Sequence, residues 1–342
     1  MPDLSLSQFF GLASCPWWLP PLALLLDLLL ADPKRLPHPV QGIGWLAARL
    51  EGPARRAGHP LAAGGLVMGV LLCVTGGAVM ALVNLPHGLG ILAALYFSWS
   101  GLALGGLLRE GAAALRVVER AAEDPGSLAE ARNAVQMLVS RDTGAMDAND
   151  LCRSLAESVS ENLNDAFVAP FFWLLLTGPV GLWLYKCAST MDSMWGYRNE
   201  RWLLLGRAAA RLDDVLAWIP ARLTVLLMLM TARIARVFHA AFFANMSVPL
   251  PGWPGWGTVA RQARLSASPN AGWPMAAAAW LFNGRTGGPT PYHGQMVQKP
   301  VMGPDQGRWT VAGTAALIRY ARWTGITAGI LGTVLFWSAG VP

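Results

Sequence analysis

The sequence predicts an all-α integral membrane protein, and three observations carry that expectation. Only 13% of the 342 residues are charged and 54% are hydrophobic, whereas about 25% are charged in a typical soluble chain. From Pro60 to Leu108 there are 49 residues without Asp, Glu, Lys or Arg, enough for two spans of about 20 residues each. There are 16 Trp residues, a side chain that favours the membrane–water interface.

The elements follow in order. Four transmembrane helices are expected at about 8–31, 61–84, 88–108 and 322–340, within one polytopic membrane domain, 1–342. Leu85-Pro86-His87-Gly88 is the turn between the second and third. Two further helices, 166–186 and 215–232, either span or re-enter. The first of these contains Thr177-Gly178-Pro179, which suits a broken helix, tolerated at membrane depth only where protein or a cavity surrounds it. Amphipathic interfacial helices and cytoplasmic loops fill the polar segments 32–59, 109–165, 186–214 and 233–321. The N-terminus has Asp3 as its only early charge, so it lacks the positive region of a cleavable signal. Cys15, Cys73, Cys152 and Cys187 are scattered without a CxxC pair and read as packing residues.

Net charge is +6. Nucleic-acid binding is excluded, because the basic residues are not clustered with stacking aromatics on one segment. The rule that basic loops stay inside accounts for them. It places 32–59, 109–165 and 233–321 inside, with the 84–90 turn and both termini outside. Segment 186–214 is also basic and stays inside if its two flanking helices re-enter.

Five polar segments hold the candidate chemistry. In the first, DLLLADPKRLPHPVQ, Asp27 lies one turn inside an apolar helix, and an intramembrane acid faces the bundle interior or a wet cavity. His38, between two prolines, reads equally as a site residue or as a turn residue bonded to a backbone carbonyl. The second is Arg141-Asp142-Thr143 with the helix 150–168. At about 100° per residue, Glu157, Glu161 and Asp165 stack on one face beside Ser158 and Asn162, with no Lys or Arg among them. Three carboxylates at a membrane mouth suit Mg²⁺ and its polyphosphate; a solvated amphipathic face is the alternative. The third, MDSMWGYRNER, gathers Asp192, Tyr197, Arg198, Asn199 and Arg201 around Gly196, and Arg binds phosphate bidentately. In the fourth, Arg207, Arg211, Asp214, Trp218 and Arg222 share one stripe, with Asp213 opposite. Arg222 at membrane depth points to function, or to an Arg–Asp tie between helices. In the fifth, RLSASPNAGWP, the turn at Ser268, Asn270 and Gly272 presents amides that can form an anion nest. A second glycine-rich loop runs from Asn283 to Gly294. There is no GxxxxGK[ST], HExxH or GxSxG, and no visible internal repeat.

Together these stretches resemble the CobD/CbiB family of cobalamin-biosynthesis membrane proteins, the adenosylcobinamide-phosphate synthases. The resemblance rests on DLLLADPKRLPHPVQGIGWL, Arg141-Asp142-Thr143, ESVSENLNDAFVAPFFW, MDSMWGYRNERW, ARLDDVLAWIPARLT and SPNAGWPMAA, in family order from Asp27 to Ala277. Tyr292-His293-Gly294 departs from the family's usual Tyr-Phe-Gly. The resemblance implies an ATP- and Mg²⁺-dependent ligase of the bacterial inner membrane with a cytoplasm-facing site. It would join the corrinoid adenosylcobyric acid to aminopropanol phosphate or threonine phosphate through an amide, by way of an acyl phosphate. It further implies Mg²⁺ on Glu157, Glu161, Asp165 and Asp192. Phosphates would lie on Arg141, Arg198, Arg201, Arg211 and Arg222, and the base would come from Asp27, His38 or Asp214. The expected partners are the lipid bilayer and these substrates, with other cobalamin-pathway enzymes or a second copy of the chain as further candidates. A transporter and a non-catalytic assembly or signalling relative are the competing readings; intramembrane charge also marks permeation paths, but visible inverted repeats would favour transport.

Overall fold

The computed structural model describes residues 16–31, 38–197, 199–237, 254–292 and 294–338. Six helices come first: α1 (Leu19–Leu30), α2 (Pro39–Arg56), α3 (Pro60–Val83), α4 (Leu89–Ser100), α5 (Leu104–Glu123) and α6 (Leu128–Gln136). Then α7 (Ala148–Asn162) runs through a π-helical turn (Leu163–Val168) into α8 (Ala169–Trp195). Next are α9 (Arg207–Leu216), α10 (Trp218–Val237), α11 (Trp256–Ala263) and α12 (Gly272–Leu281). A hairpin of β1 (Thr286–Tyr292) and β2 (Gln295–Met302) precedes α13 (Val311–Ser338). Among the described residues, four stretches are long and apolar enough to cross a membrane: Pro60–Val83, Leu89–Glu123, Ala148–Trp195 and Trp218–Arg236. The protein is an all-α membrane protein carrying one small hairpin. The expected spans 8–31 and 322–340 lie partly outside the described residues.

The chain divides into two compact units. One comprises 1–105, 165–217 and 329–342, the other 106–164 and 218–328. In unit one, α3 packs on α2, α4, α8 and α9. Its surface inverts that of a soluble protein: Leu66 is 72% exposed while Asp27 and Ser98 are fully buried. An apolar outer face over buried polar groups is stable against lipid, where exposed backbone and charge are costly. Close approach is built from glycine. A Cβ on Gly64 would stand 1.9 Å from the carbonyl oxygen of Leu205, so α3 meets the 205 backbone directly. At the end of α4, His38 Nε2 donates to Ser100 O at 2.8 Å and Trp183 Nε1 donates to Phe97 O at 2.8 Å. Both carbonyls lie in the last turn, where helices leave acceptors open; Phe97 O also accepts from Gly101 N at 3.2 Å. Gly178 (φ 65, ψ −165) followed by Pro179 breaks α8, at the Thr177-Gly178-Pro179 step where the sequence places the break.

In unit two, the fully buried run Ala276–Ala279 of α12 lets α7, α10 and α11 close on it. Below it, Phe282 meets Tyr320 edge-on at 5.2 Å, and the Tyr320 hydroxyl donates to Met228 O. The hairpin corrects the loop expected over 283–294. Four glycines and Pro289 and Pro291 argue locally against strands. Here Gly287 (φ 80) and Gly288 (φ 82) instead accommodate an irregularity in pairing between Thr286 and Gly288. A second correction concerns 207–222: α9 ends at Leu216 and α10 starts at Trp218, so one continuous stripe from Arg207 to Arg222 does not exist.

Gly64→Ala is expected to destabilise the detergent-solubilised protein by about 1–3 kcal/mol, read as a lowered melting temperature. Gly65→Ala, whose Cβ would meet nothing within 4 Å, is the neutral control. Equal melting of the two variants would contradict the packing described.

Candidate functional site

The deepest charge in unit two is an ion pair. Arg141 Nη1 lies 2.7 Å from Glu157 Oε2, with side chains 7% and 3% exposed. Burial works to discharge the Arg141 guanidinium, and Glu157, with Tyr292 and Glu161, more than offsets this, raising it above its ordinary value. Glu157 Oε1 accepts from Gly287 N at 2.8 Å. Both oxygens of Glu157 are therefore occupied by protein groups. The neighbours bind the same hairpin: Asp142 N donates to Pro291 O at 2.9 Å, and Asp142 Oδ2 accepts from Gly294 N at 2.8 Å. Thr143 Oγ1 donates to Arg132 O at 2.9 Å. Ser158 Oγ donates to Leu138 O at 2.9 Å, and Asn162 Nδ2 donates to Ser158 O at 2.9 Å. The Arg141-Asp142-Thr143 patch is thus a bracket that seats the hairpin on α7.

Arg222 forms a second centre in the same unit. Its guanidinium lies 4.2 Å from the Trp218 ring centroid and 4.6 Å from that of Trp273. It donates to Asn270 Oδ1 at 3.0 Å and to Pro269 O at 3.3 Å. Beside it opens a cleft of about 530 Å³ whose lining includes Trp218, Trp256, Trp273, Arg222 and Arg264. The expected anion nest is pre-empted: Ser268 Oγ accepts from Asn270 N and Ala271 N, each at 3.2 Å. Gly272 is required by close packing, since its Cβ would stand 2.5 Å from Ala263 O. The cleft offers flat aromatic walls and two guanidinium groups, a lining for a large apolar ligand with acidic substituents.

In unit one, Asp27 Oδ2 accepts from Gly105 N at 2.9 Å, an amide in the first turn of α5. His38 caps α2: Nδ1 accepts from Val40 N at 3.2 Å while Nε2 donates to Ser100 O. A single neutral tautomer, protonated on Nε2, satisfies both bonds. Of the two readings left open by the sequence, the carbonyl-bonded turn residue is the one seen. Arg201 pairs with Glu51 at 2.6 Å, and the exposed Arg55 pairs with the same carboxylate at 2.8 Å. Asn199 Oδ1 accepts from Trp202 N at 3.1 Å. Tyr197 and Arg211 are exposed, and Arg198 lies outside the described residues.

Asp213, which sequence reasoning passed over, is the most perturbed acid outside the spans. Burial pushes its carboxyl up to about 8, with Asp165, Asp192 and Asp214 adding repulsion. Its Oδ1 is buried without a hydrogen-bond partner. One signal was available. Ala209, Asp213 and Ala217 recur at intervals of four, and Ala209 and Ala217 are buried, so Asp213 belongs to the inward stripe of α9. Asp214 adjoins it in the same acid group.

The sequence expectation is Mg²⁺ on Glu157, Glu161, Asp165 and Asp192. Among the described residues, no three His, Cys, Asp or Glu side chains are placed to hold a metal ion. The π-helical turn at Leu163–Val168 ends the 100° spacing that would align Asp165 with Glu157 and Glu161. Glu157 and Glu161 fall in unit two, Asp165 and Asp192 in unit one.

The fold defines a class: a polytopic helical membrane protein with ionisable groups buried among its helices. The chain belongs to the CobD/Cbib protein family, whose model matches residues 20–321. It is 39% identical over 289 residues to a cobalamin biosynthesis protein CobD of Pelobacter propionicus, covering 82% of this chain and 83% of the relative. A protein of the same name from Chromobacterium violaceum is 40% identical over 294 residues, 83% of this chain and 85% of the relative. One from Klebsiella pneumoniae is 35% identical over 300 residues, 85% and 86% of the two chains. No solved structure matches the chain.

Two predictions test the geometry. Glu157→Ala leaves Arg141 buried and unpaired, and is expected to cost about 3–5 kcal/mol of stability; Arg141→Met added to it should restore much of that in thermal melts. For Asp213, the folded state holds a proton that the unfolded chain has released, so its contribution to stability falls as pH rises from about 4 to about 8. Asp213→Asn in metal-free buffer should flatten that decline, by up to about 1.4 kcal/mol per pH unit. Parallel stability–pH curves for variant and parent would rule out the buried proton.

Proposed function

We propose that the protein acts in cobalamin biosynthesis as an amide-forming ligase. It joins a propionate of adenosylcobyric acid to aminopropanol phosphate, or to threonine phosphate, giving adenosylcobinamide phosphate in the first case. The relatives' shared name supplies the pathway. The observation that carries the chemistry is the cleft where Arg222 lies between Trp218 and Trp273. Indole walls suit the apolar face of a corrin, and a guanidinium suits a propionate carboxylate.

A carboxylate is a poor acyl donor. ATP is proposed to transfer its terminal phosphoryl group to the carboxylate, releasing ADP. The amine then attacks the acyl phosphate, the C–N bond forms, inorganic phosphate leaves and the amine gives up a proton. Efficient proton acceptors titrate near the working pH. Asp213, raised to about 8, and its neighbour Asp214 have the acid–base character that such an acceptor needs. Asp27 and His38, whose observed bonds are to backbone groups, are assigned to holding helix ends. Mg²⁺ is proposed to arrive bound to the nucleotide, with one or two carboxylates assisting, as is common for this ion. The setting is the bacterial inner membrane with the chemistry on the cytoplasmic side.

Purified protein supplied with adenosylcobyric acid, aminopropanol phosphate, ATP and Mg²⁺ should form the amide and one ADP per product. Arg222→Lys keeps the charge but loses the planar fork, and should raise the KM for the corrinoid about tenfold or more. Amide formation without ATP consumption would overturn the ligase chemistry. Substrate flux across liposomes without ATP would support a transporter instead.

A further inference from the structure

Unit two contains a second cleft, of about 520 Å³, between the start of α7, the glycine bend of β1 and the loop leading to α13. Its walls carry three guanidinium groups from three segments: Arg153 on α7, Arg285 before β1 and Arg308 before α13. None belongs to the chemistry assigned above. Their existing partners are few. Arg285 Nη1 donates to Asp305 O at 3.0 Å, and Arg153 pairs with Asp150 at 3.0 Å. Arg308 is exposed, and its guanidinium makes no hydrogen bond or ion pair among the described residues. Behind that lining, Arg153 Nε and Trp309 Nε1 are buried without an acceptor. A wall carrying three guanidinium groups is complementary to phosphate oxygens.

The hairpin keeps the cleft open. Gly288 has φ 82, and a Cβ there would come within 4.0 Å of Arg153 Nη1, so a side chain would project toward the Arg153 guanidinium. Gly287 next to it is fixed by its bond to Glu157, which ties the cleft floor to the buried ion pair. Asp150 and Asp305 also line the cleft. Two carboxylates beside three guanidiniums suit a phosphate that brings a positive group of its own, a bound cation or an ammonium.

We propose that this cleft binds the phosphate-bearing co-substrate of the reaction, through Arg153, Arg285 and Arg308. The shared chemistry is a phosphate accompanied by positive charge. Both a nucleoside triphosphate with its metal and a phosphorylated amine provide it. The proposal rests on the ligase reading for the identity of those ligands. The arginines and the cleft stand apart from it.

The test is calorimetric titration of full-length protein in detergent with Mg·ATP and, separately, with aminopropanol phosphate. The double variant Arg285→Ala/Arg308→Ala should weaken one of the two at least tenfold, and the ligand affected identifies the source. Weakening of both marks a shared phosphate pocket and also supports the site. The parent affinity should fall with added salt. Both altered side chains are exposed, so melting should match the parent; Arg308→Ala alone serves if the double variant misfolds. Unchanged binding of both ligands in the variant, or no binding of either by the parent, overturns the site. If the variant forms amide with unaltered KM for both ligands, the site fails and the reaction stands. If the parent forms no amide but its binding depends on these arginines, the reaction fails and the site stands.

Discussion

The Arg141–Glu157 ion pair is the constraint on which unit two is organised. Two charges at 7% and 3% exposure carry a desolvation penalty that their attraction repays only if the remaining lone pairs are also bonded. That requirement recruits Gly287 N to the second carboxylate oxygen, which fixes the hairpin against α7. The hairpin must then bend where Gly287 and Gly288 take positive φ. Asp142 secures the far end through Gly294. The arginine-lined cleft lies along that bend, so its shape follows from a charge pair that does not face it.

Unit one is governed by a different expense, that of unsatisfied helix ends in a setting without water. Asp27 bonds an amide at the start of α5, His38 and Trp183 bond carbonyls at the end of α4, and Trp173 Nε1 donates to Leu216 O at the end of α9. Each bond reaches a backbone group in a terminal turn, where helices leave donors and acceptors open. Asp27 and His38, which stand out when read along the chain, bond helix ends here. At Asp213 one carboxylate oxygen is buried without a hydrogen bond, and burial of that kind moves a carboxyl toward neutral pH.

The two clefts of unit two divide their chemistry in a way that suits one reaction. The first combines indole faces with guanidinium groups. The second is walled by glycine backbone and arginine. Aromatic surface recognises an apolar ring system, whereas bare backbone with arginine recognises compact anions. The proposed ligase, coupling a large macrocycle to a small phosphorylated amine, would use one of each.

Much of the fold was legible along the chain. The uncharged run through Pro60–Val83 and the break at Gly178 are local matters, set by hydropathy and by the backbone freedom of glycine before proline. The buried position of Asp213 was also written there, in its spacing from Ala209 and Ala217. Other features were not legible, because they depend on partners distant in sequence. A 100° wheel cannot show that a π turn follows Asn162 and takes Asp165 off the stripe of Glu157. Nor can it show that the helix ends at Leu216 and restarts at Trp218. The strands of the hairpin hold because Glu157 and Asp142, over a hundred residues earlier, accept amides from Gly287 and Gly294. Sequence alone determined that this is a helical membrane protein with its charges gathered in a few polar segments, since hydropathy acts on each segment by itself. Only the tertiary structure decided which of those charges bind the protein to itself and which line a cleft, because that depends on which partner each charge meets once the helices are packed.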